Sequence, residues 1–175
     1  MHQPRLYLFV GYPGAGKTTI SKYIVDNTDA KHIWADVERH KLFPKPRHSK
    51  AESDELYEKL NAATDYLLSQ GKSVVFDTNF NHKADRDKLR EIAECNNAKT
   101  VLVWVKTPLK LSKERAVFAH ECRNLYDVIM SEQQFDSIAT KLEEPSAEEE
   151  PIIIDGTNTD EKILTEKLGI KPKRH

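Results

Sequence analysis

Long apolar runs are missing from this chain of 175 residues. Its best stretches, Leu6–Val10 and Val101–Val105, have strand length, whereas a spanning helix needs about 20 apolar residues, so no helical membrane span is expected. Cysteine is scarce as well. Cys95 and Cys122 lack metal-ligand spacing and are too few for a disulfide framework, which leaves two ordinary thiols. Neither sign of charge dominates: 27 Lys and Arg face 28 Asp and Glu, and the net charge of −1 excludes the overall basic signature of a general nucleic-acid binder. The apolar stretch near the N-terminus is too short for a secretory leader, so a cytoplasmic address is expected.

With 38% hydrophobic and 31% charged residues, the chain can bury a core and keep a solvated surface. Short β-rich runs alternate with helical periodicity, as in an α/β protein built on a parallel sheet. Strands are expected at Arg5–Val10, His32–Ala35, Ser73–Phe76, Thr100–Val105 and Ile152–Ile154, several of them apolar on both faces. Helices are expected at Lys17–Asn27, at Glu52–Gln70 with Leu56, Leu60, Ala63, Leu67 and Leu68 on one face and Gly71 as a stop, and at Asp85–Cys95, Leu109–Ala119, Ser131–Leu142 and Thr159–Leu168. One domain over residues 1–170 follows, with a tail at 171–175 expected to fray.

Charge is uneven locally. Arg39 to Lys50 holds five Lys or Arg and two His with no acid, and Pro44 and Pro46 break regular structure there, which suits an insertion or an acceptor-side loop. Glu143 to Glu150 holds five Glu and no base and reads as a mobile linker.

Gly11-Tyr-Pro-Gly-Ala-Gly16-Lys17-Thr18 matches G-x-x-x-x-G-K-[ST] between a strand and a helix, the context in which that pattern holds a nucleoside triphosphate. Glycines let the backbone curl so that N–H groups converge on phosphate oxygens, and the following helix aims its positive end at the same anion. Gly11, Pro13, Gly14, Ala15, Gly16, Lys17, Thr18 and Thr19 are therefore the candidate nucleotide-binding residues. Lys17 would bridge the β- and γ-phosphates, and Thr18 would offer its hydroxyl to Mg²⁺.

Ligands of open parallel sheets gather beyond the carboxyl ends of the strands, where Asp36 and Asp77 fall. Asp36 is the candidate general base, with helix capping as its alternative, and Arg39 three residues on could hold an acceptor phosphate. Asp77 is the candidate carboxylate for Mg²⁺, with turn or cap chemistry as its alternative, and Asn79 a candidate for orienting either Asp77 or the acceptor. Arg115 and Arg123, in a helical lid at about 112–130, could stabilise charge on the transferring phosphoryl group. His120 reads as structural or solvated rather than as a ligand. Trp104 reads as core or sheet surface, and Tyr126 is left without a role.

Together GYPGAGKTT, WADVER, VVFDTNFNHKADR and KERAVFAHECR resemble the P-loop kinase group that contains phage-type polynucleotide 5′-hydroxyl kinase, zeta toxins and chloramphenicol phosphotransferase. The likeness spans residues 5–125, and Asp-x-x-Arg with Asp-Thr-Asn is nearest the polynucleotide-kinase branch. The resemblance implies strand order 2-3-1-4-5, ATP and Mg²⁺ as cofactors, Asp36 as base, Arg39 on the acceptor phosphate, and Arg115 or Arg123 on the triphosphate. The implied activity moves a γ-phosphoryl group to the hydroxyl of a small molecule or a nucleic-acid end. A non-catalytic ATP-binding regulator or toxin-like partner protein is the alternative, and an N-K-x-D run for guanine is missing.

Overall fold

The computed structural model describes residues 2–118 and 130–173. Five parallel strands form one sheet: β1 Arg5–Val10, β2 Lys31–Trp34, β3 Val74–Asp77, β4 Lys99–Lys106 and β5 Ile152–Asp155. Their order is β2-β3-β1-β4-β5, as the resemblance implies. Helices are α1 Lys17–Asn27, α2 Ala35–Leu42, α3 Lys50–Ser69, α4 Lys83–Cys95, α5 Leu109–Val117, α6 Glu132–Ala139 and α7 Glu161–Leu168. No described helix is long and apolar enough to cross a membrane.

Strand β1 lies in the middle, and its residues Leu6 to Val10 are all buried because both faces are covered. Alternate side chains feed two cores. Leu6, Leu8 and Val10 pack with Leu56, Leu60, Leu68, Phe76, Leu89 and Trp104, whereas Tyr7 and Phe9 pack with Ile20, Ile24, Val105, Ile154 and Leu164. The phosphate-loop motif therefore springs from the buried central strand, with β3 and β4 on either side.

Several boundaries and one surface differ from the sequence expectation. Helix α2 is additional: its charged octet has little apolar periodicity, and it forms because Ala35 and Arg39 can be buried beside α3. Helix α3 starts at Lys50 because Ser49 accepts a hydrogen bond from the Glu52 N–H. Its buried stripe is Leu56, Leu60, Thr64 and Leu68, so Thr64 takes the place expected for Ala63, its hydroxyl satisfied by the Leu60 carbonyl at 2.9 Å. Trp104 is buried in β4.

The acidic stretch is no mobile linker. Arg86, fully buried, donates from Nε and Nη2 to the two carboxylate oxygens of Glu149 at 2.8 and 3.0 Å, and from Nη1 to the carbonyls of Phe80 and Glu143. Arg90 adds a bond to Glu149 at 2.8 Å. A single 3-10 turn at Ala147–Glu149 presents that carboxylate. The tail is also tied down as far as Lys173, whose N–H and ammonium meet Asn27 and Thr28 at the end of α1.

Candidate active site

The loop 11–16 closes between β1 and α1 with Gly14 and Gly16 in the left-handed region. At Gly14 two constraints coincide: φ is 78°, and a side chain would strike the Ser112 carbonyl of α5. At Gly156, just after β5, a Cβ would collide with Thr107 and with the Ala15 carbonyl. Thr107 Oγ1 donates to that Ala15 carbonyl at 2.8 Å, and the Gly156 N–H reaches the Lys106 carbonyl at 2.8 Å. The loop is thus braced from the ends of β4 and β5.

Lys17 is buried, and its ammonium donates to the Gly11 and Tyr12 carbonyls at 2.9 and 2.7 Å. Burial pulls its pKa down to about 8, against the opposing pull of Asp77 and Asp36. Protonated Lys17 is therefore costly in the free protein up to about pH 8. From there to its ordinary value of 10.5 the unfolded chain binds more protons, so this residue's contribution makes stability rise with pH. An anion delivered to the loop favours the ammonium again. Binding of a nucleotide at pH 8 should then take up about half a proton per site. Calorimetry in two buffers of different ionisation heat measures this, and identical heats would show that Lys17 has its ordinary pKa.

Asp36 lies in the first turn of α2, exposed at the mouth of the cleft, and no side chain caps that helix. The capping alternative is not realised. Desolvation, followed by the charge of Asp77, raises the Asp36 pKa, while Arg39, His48 and His40 oppose the shift. Asp77 ends β3 and is buried. Its Oδ2 meets His32 Nε2 at 3.3 Å, and the His32 ring stacks on Trp34 at 5.5 Å. Both carboxylates act on Lys17, so the cation of β1–α1 and the acids of α2 and β3 share one cleft.

Arg39 turns inward rather than to the surface. It is 7% exposed, its Nη2 donates to Ser53 Oγ at 3.2 Å, and its buried Nη1 has no hydrogen-bond partner. Tyr57 of α3, hydrogen-bonded to Thr78 at 2.7 Å, ties that helix to the residue after Asp77. Asn79 follows, exposed on the β3–α4 loop. Thr18 is half-buried in the first turn of α1 and Thr19 is exposed. Arg115 of α5 donates to the Gly156 carbonyl at 3.1 Å and lies 3.5 Å from the Gly14 carbonyl, so it touches the phosphate loop. Arg123 lies outside the described residues, as do Cys122, His120 and Tyr126.

Four contributors to this site carried no sequence signal: His32 on Asp77, Asn81 on the Gly11 N–H, Thr107 on the Ala15 carbonyl and Gly156 on the Lys106 carbonyl. Each acts on a partner more than 40 residues distant. Beside the loop, at the carboxyl ends of β1, β4 and β5, lies a cavity of about 450 Å³ that includes Gly11, Tyr12, Lys106, Leu142 and Thr157.

The sheet order, the loop and the cleft at the strand ends define a P-loop kinase fold. The AAA domain family model matches residues 6–145, and the chain belongs to that family. Among solved structures, a sugar kinase from Janibacter sp. HTCC2649 is 19% identical with a TM-score of 0.70, covering 98% of this chain and 97% of its own. Kti12 from Chaetomium thermophilum, in complex with ADP-AlF3, is 16% identical with a TM-score of 0.74 over 95% and 96%. The APS kinase CysC from Mycobacterium tuberculosis, in complex with AMPPNP and APS, is 16% identical with a TM-score of 0.67 over 97% and 98%. These likenesses concern the fold. No curated protein is significantly similar to the chain in sequence.

Proposed function

We propose that the protein is an ATP- and Mg²⁺-dependent phosphotransferase that moves the γ-phosphoryl group to a hydroxyl of an anionic acceptor. One observation carries this reading: buried Lys17 opens α1 just beyond β1, buried Asp77 ends the adjacent β3, and Asp36 lies in the first turn of α2 just beyond β2 on the other side of β3, so a cation for the phosphates and an acid for the acceptor share the carboxyl edge of one sheet. The family and the fold support the nucleotide half of the reading. The acceptor half rests on Asp36 and Arg39.

The donor groups present fit a triphosphate. The loop's N–H groups and the start of α1 would take the β-phosphate, and Lys17 would leave its two carbonyl partners for the β- and γ-oxygens. Thr18 and Asp77 would hold Mg²⁺, an oxygen-seeking ion that offsets charge on those oxygens.

The acceptor hydroxyl oxygen forms a bond to the γ-phosphorus as the bond from that phosphorus to the bridging oxygen of ADP breaks. The proton goes to Asp36. Its raised pKa brings the carboxylate nearer in basicity to the group it must deprotonate, and its exposure lets the acceptor reach it. Arg115 would steady charge on the triphosphate by exchanging a loop carbonyl for a phosphate oxygen.

The unpaired Nη1 of Arg39 supports an anionic acceptor, because a buried guanidinium missing one partner costs free energy that an incoming phosphate or carboxylate repays in a two-point contact. Labelled γ-phosphate transfer into a panel of a sugar acid, a nucleotide and a 5′-hydroxyl oligonucleotide tests the reading. An accepted anionic compound should lose at least about tenfold in kcat/KM with Arg39→Gln while KM for ATP stays unchanged. Lack of acceptor-dependent ADP formation throughout a wide panel and in cell extract would overturn the reading.

A further inference from the structure

Asn81 has no part in the reading above, yet it is 4% exposed and touches the phosphate loop at its first residue. Its side-chain Oδ1 accepts the Gly11 N–H at 3.3 Å. Its own carbonyl accepts the Glu143 N–H at 2.8 Å. Next to it in the chain, the Phe80 N–H reaches the Phe9 carbonyl at 3.0 Å, and the Phe80 carbonyl takes Arg86 Nη1 at 2.9 Å. The residue is therefore gripped on its main chain, and its amide points at the one peptide where β1 stops being a strand.

We propose that Asn81 is a positioning residue of the nucleotide site, fixing the first peptide of the phosphate loop so that the loop keeps its anion-binding shape. Gly11 is held at both ends of its backbone: its N–H on Asn81 and its carbonyl on Lys17 at 2.9 Å. The Gly11 N–H lies beyond the last β1 residue, Val10, so a side-chain acceptor supplies what no neighbouring strand does. A loop whose first peptide can rotate spreads its N–H groups over several directions, and binding must then restrict them again.

The Nδ2 of the same amide is buried with no partner. That orphan separates a positioning role from a stability role. An unpaired buried donor destabilises the fold, so replacing Asn81 by an apolar residue of similar volume removes one liability as it removes the Gly11 contact, and the two effects on stability oppose each other. Nucleotide affinity has no such offset. The acidic segment 143–149 enters the same argument. Through the Glu143 N–H and the Arg86–Glu149 ion pair it fixes where Asn81 sits, which gives a segment distant in sequence an influence on the loop.

This inference rests on the nucleotide-binding half of the proposed function, and its test separates the two. Calorimetry with Mg–ADP and Mg–AMPPNP on the full chain compares the wild type with Asn81→Leu and Asn81→Ala, together with melting temperatures of the nucleotide-free proteins. Asn81→Leu should melt within a few degrees of wild type and bind both nucleotides about tenfold more weakly. Asn81→Ala should lose a similar factor in affinity and melt lower, because it leaves a gap. Should Asn81→Ala not fold, the Leu variant decides the matter alone. A folded Asn81→Leu with wild-type affinity for both nucleotides overturns the inference and leaves the nucleotide site standing. If the wild type binds neither nucleotide, the nucleotide reading fails and this inference with it.

Discussion

Asp36→Asn is expected to lower kcat for phosphoryl transfer by about 10²–10⁴-fold, the range typical for loss of a positioned general base. The substitution keeps the size of the side chain and removes its negative charge and its capacity to take a proton. Because Asp36 is exposed at the start of α2 and caps nothing, the melting temperature should stay close to that of the wild type. Removing its charge also relieves repulsion on an incoming triphosphate, so KM for ATP should hold or fall. Single-turnover kinetics with a saturating acceptor measure the chemical step directly. A variant that transfers at the wild-type rate would remove Asp36 from the mechanism and leave positioning and electrostatic stabilisation as its whole content.

Glu149→Ala is expected to have the largest effect on stability. It leaves the fully buried Arg86 without its carboxylate, and breaking a buried ion pair from one side costs about 3–5 kcal/mol. For a domain of this size that corresponds to a fall in melting temperature on the order of 10 °C. The pH dependence gives the expected signature. Hydrogen bonding to Arg86, then to Arg90 and the Ser146 N–H, holds the Glu149 pKa down at about 2, against an ordinary value of 4.5. A depressed carboxylate contributes stability fully above its unfolded pKa and loses it as pH falls toward the folded one. Melting curves of wild type and variant should therefore be well separated at pH 7 and draw together below pH 4. A constant separation across that window would mean that the pair contributes through packing rather than charge.

How much of this was legible in the sequence depends on the distance between partners. The loop between β1 and α1 could be placed residue by residue, because its motif occupies eight consecutive positions whose strand and helix flank them directly. Helix α1 and strand β1 matched their expected limits, each carried by a run of its own. Asp36, Asp77 and Lys17 were legible as a group because strand ends in a parallel sheet come together whatever the intervening chain does. Helix α2 was not, since eight mostly charged residues bury only Ala35 and Arg39. The acidic stretch misled for a related reason: composition records that five glutamates fall within eight positions, but not that Arg86, 63 positions before Glu149, is buried where that one can meet it. Arg39 was singled out for its charge. Its burial, and the nitrogen left without a partner, belong to the packing of α2 on α3 and have no counterpart in the one-dimensional pattern.

The braces on the phosphate loop bear on how far that motif can be moved. Asn81 holds its entrance, Thr107 its Ala15 carbonyl and Arg115 its apex, and Gly156 makes room beneath it, all from segments encoded long after the motif has ended. The octapeptide is consequently not a portable cassette. Transplanted with β1 and α1 alone, it would carry the amide groups proposed to hold phosphate but not the scaffold that keeps them convergent, so recognition would be a property of the assembled sheet and not of its most conspicuous eight letters.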